Sequence, residues 1–202
     1  MRIGYFGGTF DPPHCAHLHA AQLAADAFQL DRVLMAPTGI QPLKAEKPRA
    51  GYVDRLAMTR LLCGEDARLE VTDVDAPHAD GSPNYTVDAL ARLREQYPDA
   101  EIFVVVGADS FLSVRRWHEA EKLLNEANWI VLSREGFDLG DMSDLHLTSE
   151  QAARVHTLAT FDEHISASDL RERLRLGISC GNMLTTKVTL FIARMHLYHQ
   201  ER

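Results

Sequence analysis

The sequence is short of the residues that would commit it to disulfides, nucleic acids or membranes. Its cysteines number three (Cys15, Cys63 and Cys180), an odd and widely spaced set without a CxxC pair, which fits reduced thiols in a cytosolic protein better than a disulfide framework. Positive charge is also scarce. The 21 Lys and Arg against 29 Asp and Glu leave a formal charge of −8, which argues against sequence-independent binding to DNA or RNA. No apolar run approaches membrane-spanning length, and no basic leader with an apolar stretch precedes the first strand-like run, so the expected location is the cytoplasm. Internal repeats and low-complexity tracts are missing as well. What remains is a 202-residue chain with 46% hydrophobic and 25% charged residues, ordinary for one domain over residues 1–202 with a sizeable core.

Six runs read as strands: Ile3–Phe6, Arg32–Ala36, Leu69–Val74, Ile102–Val106, Trp129–Leu132 and Val155–Ala159. Helical spacing lies between most of them. Ala16, Ala20, Leu23, Ala24 and Ala27 share one helical face, as do Val53, Leu56, Ala57 and Leu61, then Val87, Leu90, Leu93 and Tyr97, and near the end Val188, Phe191, Ile192 and Met195. Ile102–Val106 is almost continuously apolar, as a strand covered on both faces must be. The alternation predicts a doubly wound α/β fold: a parallel sheet with helices on both faces and a C-terminal helical segment. The polar stretch Glu135–Ser149, without clear periodicity, is expected to be a surface excursion. In such sheets ligands sit outside the carboxyl ends of the strands, so the residues that follow strands carry the functional interest.

The first of these is Gly7-Gly8-Thr9-Phe10-Asp11-Pro12-Pro13-His14-Cys15-Ala16-His17, a strand, a glycine turn and a helix start. Glycines let backbone N–H groups approach a phosphate, and the first turn of a helix adds positive potential. His14 and His17, three apart, would share a helix face; a phosphate between them competes with a metal held together with Asp11 and with plain surface positions. Cys15 is either a thiol activated by this setting or a small packing residue.

A second constellation, Ile165-Ser166-Ala167-Ser168-Asp169-Leu170-Arg171, resembles a capping box followed by an apolar face. That explains the serines but not Arg171, since a cation in the first turns opposes the helix dipole unless an anion is shared there. Gly107-Ala108-Asp109-Ser110-Phe111 follows the most buried strand, where Asp109 would accept from ribose hydroxyls or cap the next helix. Trp117, beside His118, is either a stacking platform or core. Lys44, with Lys47 and Arg49 nearby, sits in a Pro-flanked loop at the ligand edge of the sheet.

Together these residues resemble the nucleotidyltransferase superfamily whose first loop carries GxFxPxH and a second histidine and whose late helix carries ISxTxxR. Gly8-Thr9-Phe10-Asp11-Pro12-Pro13-His14 with His17, and Ile165 to Arg171, are the matching segments. Within it the chain is most similar to the bacterial nicotinate-nucleotide adenylyltransferases, through the Pro37-to-Lys44 loop, Asn84-Tyr85-Thr86, Gly107 to Phe111, Arg116-Trp117-His118 and Leu132-Ser133-Arg134. Ala16 stands where the family usually has glycine, and Ser168 where it has threonine. The resemblance implies adenylyl transfer from ATP to nicotinate mononucleotide in NAD biosynthesis. His14, His17 and Arg171 would be catalytic, and Gly8, Thr9, Phe10, His14, His17, Gly107, Asp109, Arg134, Ile165, Ser168 and Arg171 would bind ATP. Lys44, Thr86, Trp117 and His118 would bind the mononucleotide. Mg²⁺ would be held by phosphates and water rather than by protein side chains. The partners are then small molecules, with no nucleic acid and no membrane, and the protein a monomer or small homo-oligomer. Competing readings are another superfamily transferase (a pantetheine-phosphate adenylyltransferase or a cytidylyltransferase) and a nucleotide-sensing module without turnover.

Overall fold

A computed structural model describes residues 1–43, 46–64, 66–133, 139–159 and 165–199. Six parallel strands, β1 (Arg2–Gly8), β2 (Arg32–Pro37), β3 (Leu69–Val71), β4 (Glu101–Gly107), β5 (Asn128–Ser133) and β6 (Val155–Ala159), form one sheet in the order β3-β2-β1-β4-β5-β6. All six strand-like runs are therefore strands. The chain winds outward from β1 to β3, returns to lay β4 beside β1, and winds outward again, so the crevice of the doubly wound fold opens at the carboxyl ends of β1 and β4.

β4 shows why the sheet needs helices on both faces. Phe103 and Val105 point into the layer that holds α1 (Cys15–Phe28), whereas Val104 and Val106 point into the layer of α3 (Thr86–Gln96) and α5 (Ala120–Glu126). Each such side chain taken from water contributes about 1.5–3 kcal/mol, which is why the run carries no polar residue. α1 approaches the sheet through Ala20, Ala21, Ala24 and Ala25, small enough to bring the helix close. A separate apolar cluster joins α2 (Tyr52–Cys63), α7 (Ala167–Arg175) and α8 (Thr186–Arg194) through Met58, Leu62, Leu170, Leu184, Val188 and Ile192. Short helices α4 (Ala108–Phe111) and α6 (Ser149–Ala152) complete the set.

Three expectations are corrected. The buried face of α2 is Arg55, Met58, Thr59 and Leu62, and Val53 is 75% exposed. The apolar pattern pointed elsewhere because a buried guanidinium occupies the inner face, its two terminal nitrogens donating to backbone carbonyls. On α8, Val188 and Ile192 face inward while Met195, just past the helix end, is exposed. Within the polar stretch after β5, residues 139–145 form a 3₁₀ turn that sends Met142 and Leu145 into the core, so the segment is a lid on the α3/α5 layer rather than a free excursion. β3 also ends earlier than the sequence run, because the backbone turns at Thr72, whose hydroxyl accepts from Val74 N–H at 3.2 Å.

Candidate active site

The loop that leaves β1 is built for close approach. A Cβ on Gly8 would meet the Phe10 ring at 3.0 Å, and Phe10 itself is buried with φ 49°, a left-handed conformation that a bulky residue holds only when its surroundings enforce it. They do so here through edge contacts of the Phe10 ring with Phe6 and His17, at 5.7 and 4.9 Å between ring centres. His14 is the N-cap of α1 rather than a residue of the helix, yet its ring lies on that of His17, 3.7 Å between centres.

Each histidine is held in a definite state. The backbone N–H of His14 donates to Nδ1 of His17 at 3.2 Å, so in the neutral ring the proton of His17 sits on Nε2 as a donor. Burial pushes the His14 imidazole down to about 4, so it is neutral near pH 7, and its buried Nδ1 has no hydrogen-bond partner among the described residues. Buried polar atoms are rarely left so, and a ligand atom is the natural complement.

The late motif reaches the same place from α7, which is anchored by the buried Leu170. Ser166 caps the helix by accepting from Asp169 N–H at 3.5 Å, the forward half of a capping box. Arg171 donates through Nη1 to the carbonyl of Asp11 at 2.9 Å and through Nη2 to Ser168 Oγ at 3.1 Å. Two of its five N–H groups are thereby fixed, and among the described residues the other three are left for an anion. Thr9, His17, Lys47, Ser168 and Arg171 line one cavity of about 380 Å³ at this junction. The two motifs, far apart in sequence, thus form two sides of one recess, whose charged lining is Lys47 and Arg171 together with Asp11 and Glu46.

Two further cavities continue it along the sheet edge. One of about 860 Å³ runs over α1, lined by Gly8, Thr9, Phe10, His14, Ala16, His17, Gly107 and Leu132. The other, about 350 Å³, lies on the α3 side and is lined by Tyr5, Asp75, Tyr85, Thr86, Trp117 and His118. Gly7, Gly8, Gln41, Val106 and Ser110 form the wall common to both. Thr86 is the first residue of α3, whose N-terminal N–H groups favour a carboxylate. His118 stacks on Tyr85 at 4.2 Å, and Trp117, half-buried, lies edge-on to the buried Trp129 at 6.0 Å and donates through Nε1 to Ser113 Oγ at 3.3 Å. Trp117 is thus part core and part cavity wall.

The remaining expected positions divide. Asp109 is exposed in the first turn of α4, whose N-cap is Gly107, and it is not among the residues that line the three cavities; Gly107 and Ser110 are. Ile165 packs against the α2/α7/α8 cluster rather than into the recess. Lys44 and Arg134 lie outside the described residues.

Several residues with no motif to announce them hold the site together. Arg55, 1% exposed, donates to the carbonyls of Thr9 at 2.6 Å and Thr38 at 2.9 Å, tying the loops after β1 and β2. Asn84 accepts from Ile40 N–H and donates to the Ala76 carbonyl, both at 2.8 Å. A Cβ on Gly39 would strike Asn84 Oδ1 at 2.5 Å and the Pro77 backbone at 2.6 Å, so glycine is required there. Asp75, buried at the floor of the smaller cavity, faces Tyr5 Oη at 3.5 Å, and burial pushes its carboxyl up to about 6. The spacing of strand ends marked this region, but a buried arginine on a helix and an aspartate four residues past a strand carry no signal of their own. Asp11, an alternative metal ligand by sequence, spends its carboxylate on protein donors: Arg49 N–H at 2.7 Å, Ala50 N–H at 3.1 Å and Tyr198 Oη at 2.7 Å. Among the described residues no group of three or more His, Cys, Asp or Glu side chains is placed to hold a metal.

Residues 5–173 match the cytidylyltransferase-like family. A protein of Opitutus terrae named "Probable nicotinate-nucleotide adenylyltransferase" is 33% identical over 198 residues, covering 98% of both chains. One of the same name from Leifsonia xyli subsp. xyli is 36% identical, covering 98% of this chain and 94% of its own. The solved nicotinic acid mononucleotide adenylyltransferase of Plasmodium falciparum, complexed with NaAD, superposes with a TM-score of 0.78 over 98% of this chain and 97% of its own; at 18% identity it shows the shared fold. With the two-sided recess at the switch point and this agreement along nearly its full length, the chain belongs to the cytidylyltransferase-like nucleotidyltransferases, in their nicotinate-nucleotide adenylyltransferase branch.

Proposed function

We propose that the protein transfers the adenylyl group of ATP to nicotinate mononucleotide, forming nicotinate adenine dinucleotide and pyrophosphate. The observation that carries this reading is the row of three adjoining cavities, with the recess of Arg171 and His17 beside the one over α1 and a wall shared between that one and the cavity on the α3 side. The adenosine lies along α1 in the larger cavity and its triphosphate turns into the recess. The pyridine nucleotide occupies the cavity of Thr86, Trp117 and His118, with its ring on Trp117 and its carboxylate at the N-terminus of α3.

The chemistry asks little of a base. A phosphate monoester has its second pKa at about 6, so the attacking oxygen is already ionised near pH 7. It attacks the α-phosphorus, the bond to the bridging oxygen breaks, and pyrophosphate leaves with that electron pair. The side chains then position the reactants and stabilise charge as it moves to the leaving group. His17 donates through Nε2–H, Arg171 through its three uncommitted N–H groups, and neutral His14 through whichever nitrogen carries its proton. Mg²⁺ arrives with ATP, held by phosphate oxygens and water.

The decisive experiment measures kcat/KM for nicotinate and nicotinamide mononucleotide with Mg·ATP, alongside pyrophosphate release with 4′-phosphopantetheine. Preference for the acid is expected. Equal values refute selection for the carboxylate, faster turnover of phosphopantetheine refutes the acceptor, and no release with any acceptor refutes catalysis.

A further inference from the structure

The C-terminal end of the chain reaches into the first loop. After α8 the backbone passes through two left-handed residues, His196 at φ 53° and Tyr198 at φ 65°. Non-glycine residues hold such conformations only against a cost, and two in three positions indicate a segment bent to a purpose. The bend carries the Tyr198 hydroxyl to Asp11 Oδ1 at 2.7 Å, across 187 residues of sequence. Leu197 and Tyr198 pack on the α2/α7/α8 cluster, so the bend is seated rather than loose.

Asp11 is an unexpected neighbour for a triphosphate, being 3% exposed and anionic within an anion-binding recess. Its three donors resolve that. Arg49 N–H, Ala50 N–H and Tyr198 Oη surround the carboxylate, and its own carbonyl anchors Arg171 Nη1 at 2.9 Å. The closest approach of Arg171 to the carboxylate itself is 4.0 Å. The carboxylate thus reaches Arg171 only at the limit of an ion pair, and the shorter hold on the guanidinium is the Asp11 carbonyl. Three of the four partners are backbone groups or the functional arginine. Tyr198 is the side-chain donor to that carboxylate among the described residues.

We propose that Tyr198 is a positioning residue for adenylyl transfer: by holding the Asp11 carboxylate it sets the Asp11 carbonyl, and through it the Arg171 guanidinium, against the phosphates. This rests on Arg171 acting on the triphosphate as described above. Burial and the adjacent carboxylate keep the phenol protonated, so it remains a donor throughout the neutral range.

The test is a double-mutant cycle of Tyr198→Phe and Arg171→Ala, read as kcat and as KM for ATP, with Leu197→Ala as a control for loosening the same segment. Y198F keeps the ring, and its kcat is expected to fall about 10- to 100-fold, the scale of a small misplacement of a reacting group, with a smaller change in KM. In the R171A background the same substitution should lower kcat less than twofold. L197A should lower the unfolding midpoint at least as much as Y198F while keeping kcat within threefold of the parent. Equal effects of Y198F in both backgrounds, wild-type kcat in Y198F, or a kcat loss in L197A as large as in Y198F would each overturn the proposal. Should Y198F not fold, a full kcat loss in folded L197A overturns it and retained kcat supports it. Wild-type turnover in R171A would sink the triphosphate assignment of Arg171 and this inference with it, whereas a loss in R171A with none in Y198F sinks the inference alone.

Discussion

Two buried titratable side chains, His14 in the cavity over α1 and Asp75 in the cavity on the α3 side, oppose each other on pH. His14 is pushed from 6.5 down to about 4 by burial, so the unfolded chain binds the extra proton between these values. Stability from that group is full above pH 6.5 and is lost as pH falls through about 4. Asp75 is pushed from 3.8 up to about 6, again by burial, so here the folded chain binds the extra proton. Its contribution is full below pH 3.8 and is lost as pH rises through about 6. Each shift is worth about 3 kcal/mol, and over nearly the same window the two cancel. Single variants should uncover what the pair conceals. Asp75→Asn is expected to gain stability over the parent as pH rises from 4 to 6, and His14→Gln to gain over it as pH falls from 6.5 to 4. Urea unfolding at half-unit pH steps measures both, and parallel curves for parent and variant would refute the assignment. His17 answers to activity instead: His17→Ala should lower turnover about 10²–10³-fold, the cost of one donor aimed at developing charge, in a single-turnover assay with saturating Mg·ATP.

Helix α2 shows where an apolar pattern misleads. Val53, Leu56, Ala57 and Leu61 fall at helical spacing, but the helix is rotated so that Arg55 faces inward and Val53 faces water. Val53→Ser should change stability by less than about 0.5 kcal/mol. Arg55→Ala should cost about 3 kcal/mol or more, since it strips partners from the Thr9 and Thr38 carbonyls. Chemical denaturation of the two variants settles which face is inner. The strands were legible because burial on both faces leaves little choice of residue, and the two phosphate motifs because glycine, proline, histidine and arginine at fixed offsets have few other uses. Arg55 and Tyr198 were not legible. Each finds its partner through loops far away in sequence, 46 residues for Arg55 to Thr9 and 187 for Tyr198 to Asp11, and no local pattern encodes such a distance.

For the molecule as a whole, the parallel sheet with its single reversal between β1 and β4 makes one edge serve three tasks. In the proposed assignment adenosine, triphosphate and acceptor sites meet there without any one element lining all of them, and Lys47 and Arg171 come together at the recess in a chain of net charge −8. In the proposed assignment the wall of Gly7, Gly8, Gln41, Val106 and Ser110, common to the cavity over α1 and the one on the α3 side, has a kinetic meaning. Before reaction it partitions two independent ligands; afterwards they are one molecule with a head on either side. A tethered second head rebinds at an effective concentration in the millimolar range, so the dinucleotide is expected to leave only when both heads are free at once. Joining the substrates is then expected to make a bivalent inhibitor of the enzyme that made it, with release quickened by fresh ATP and acceptor that capture a vacated half.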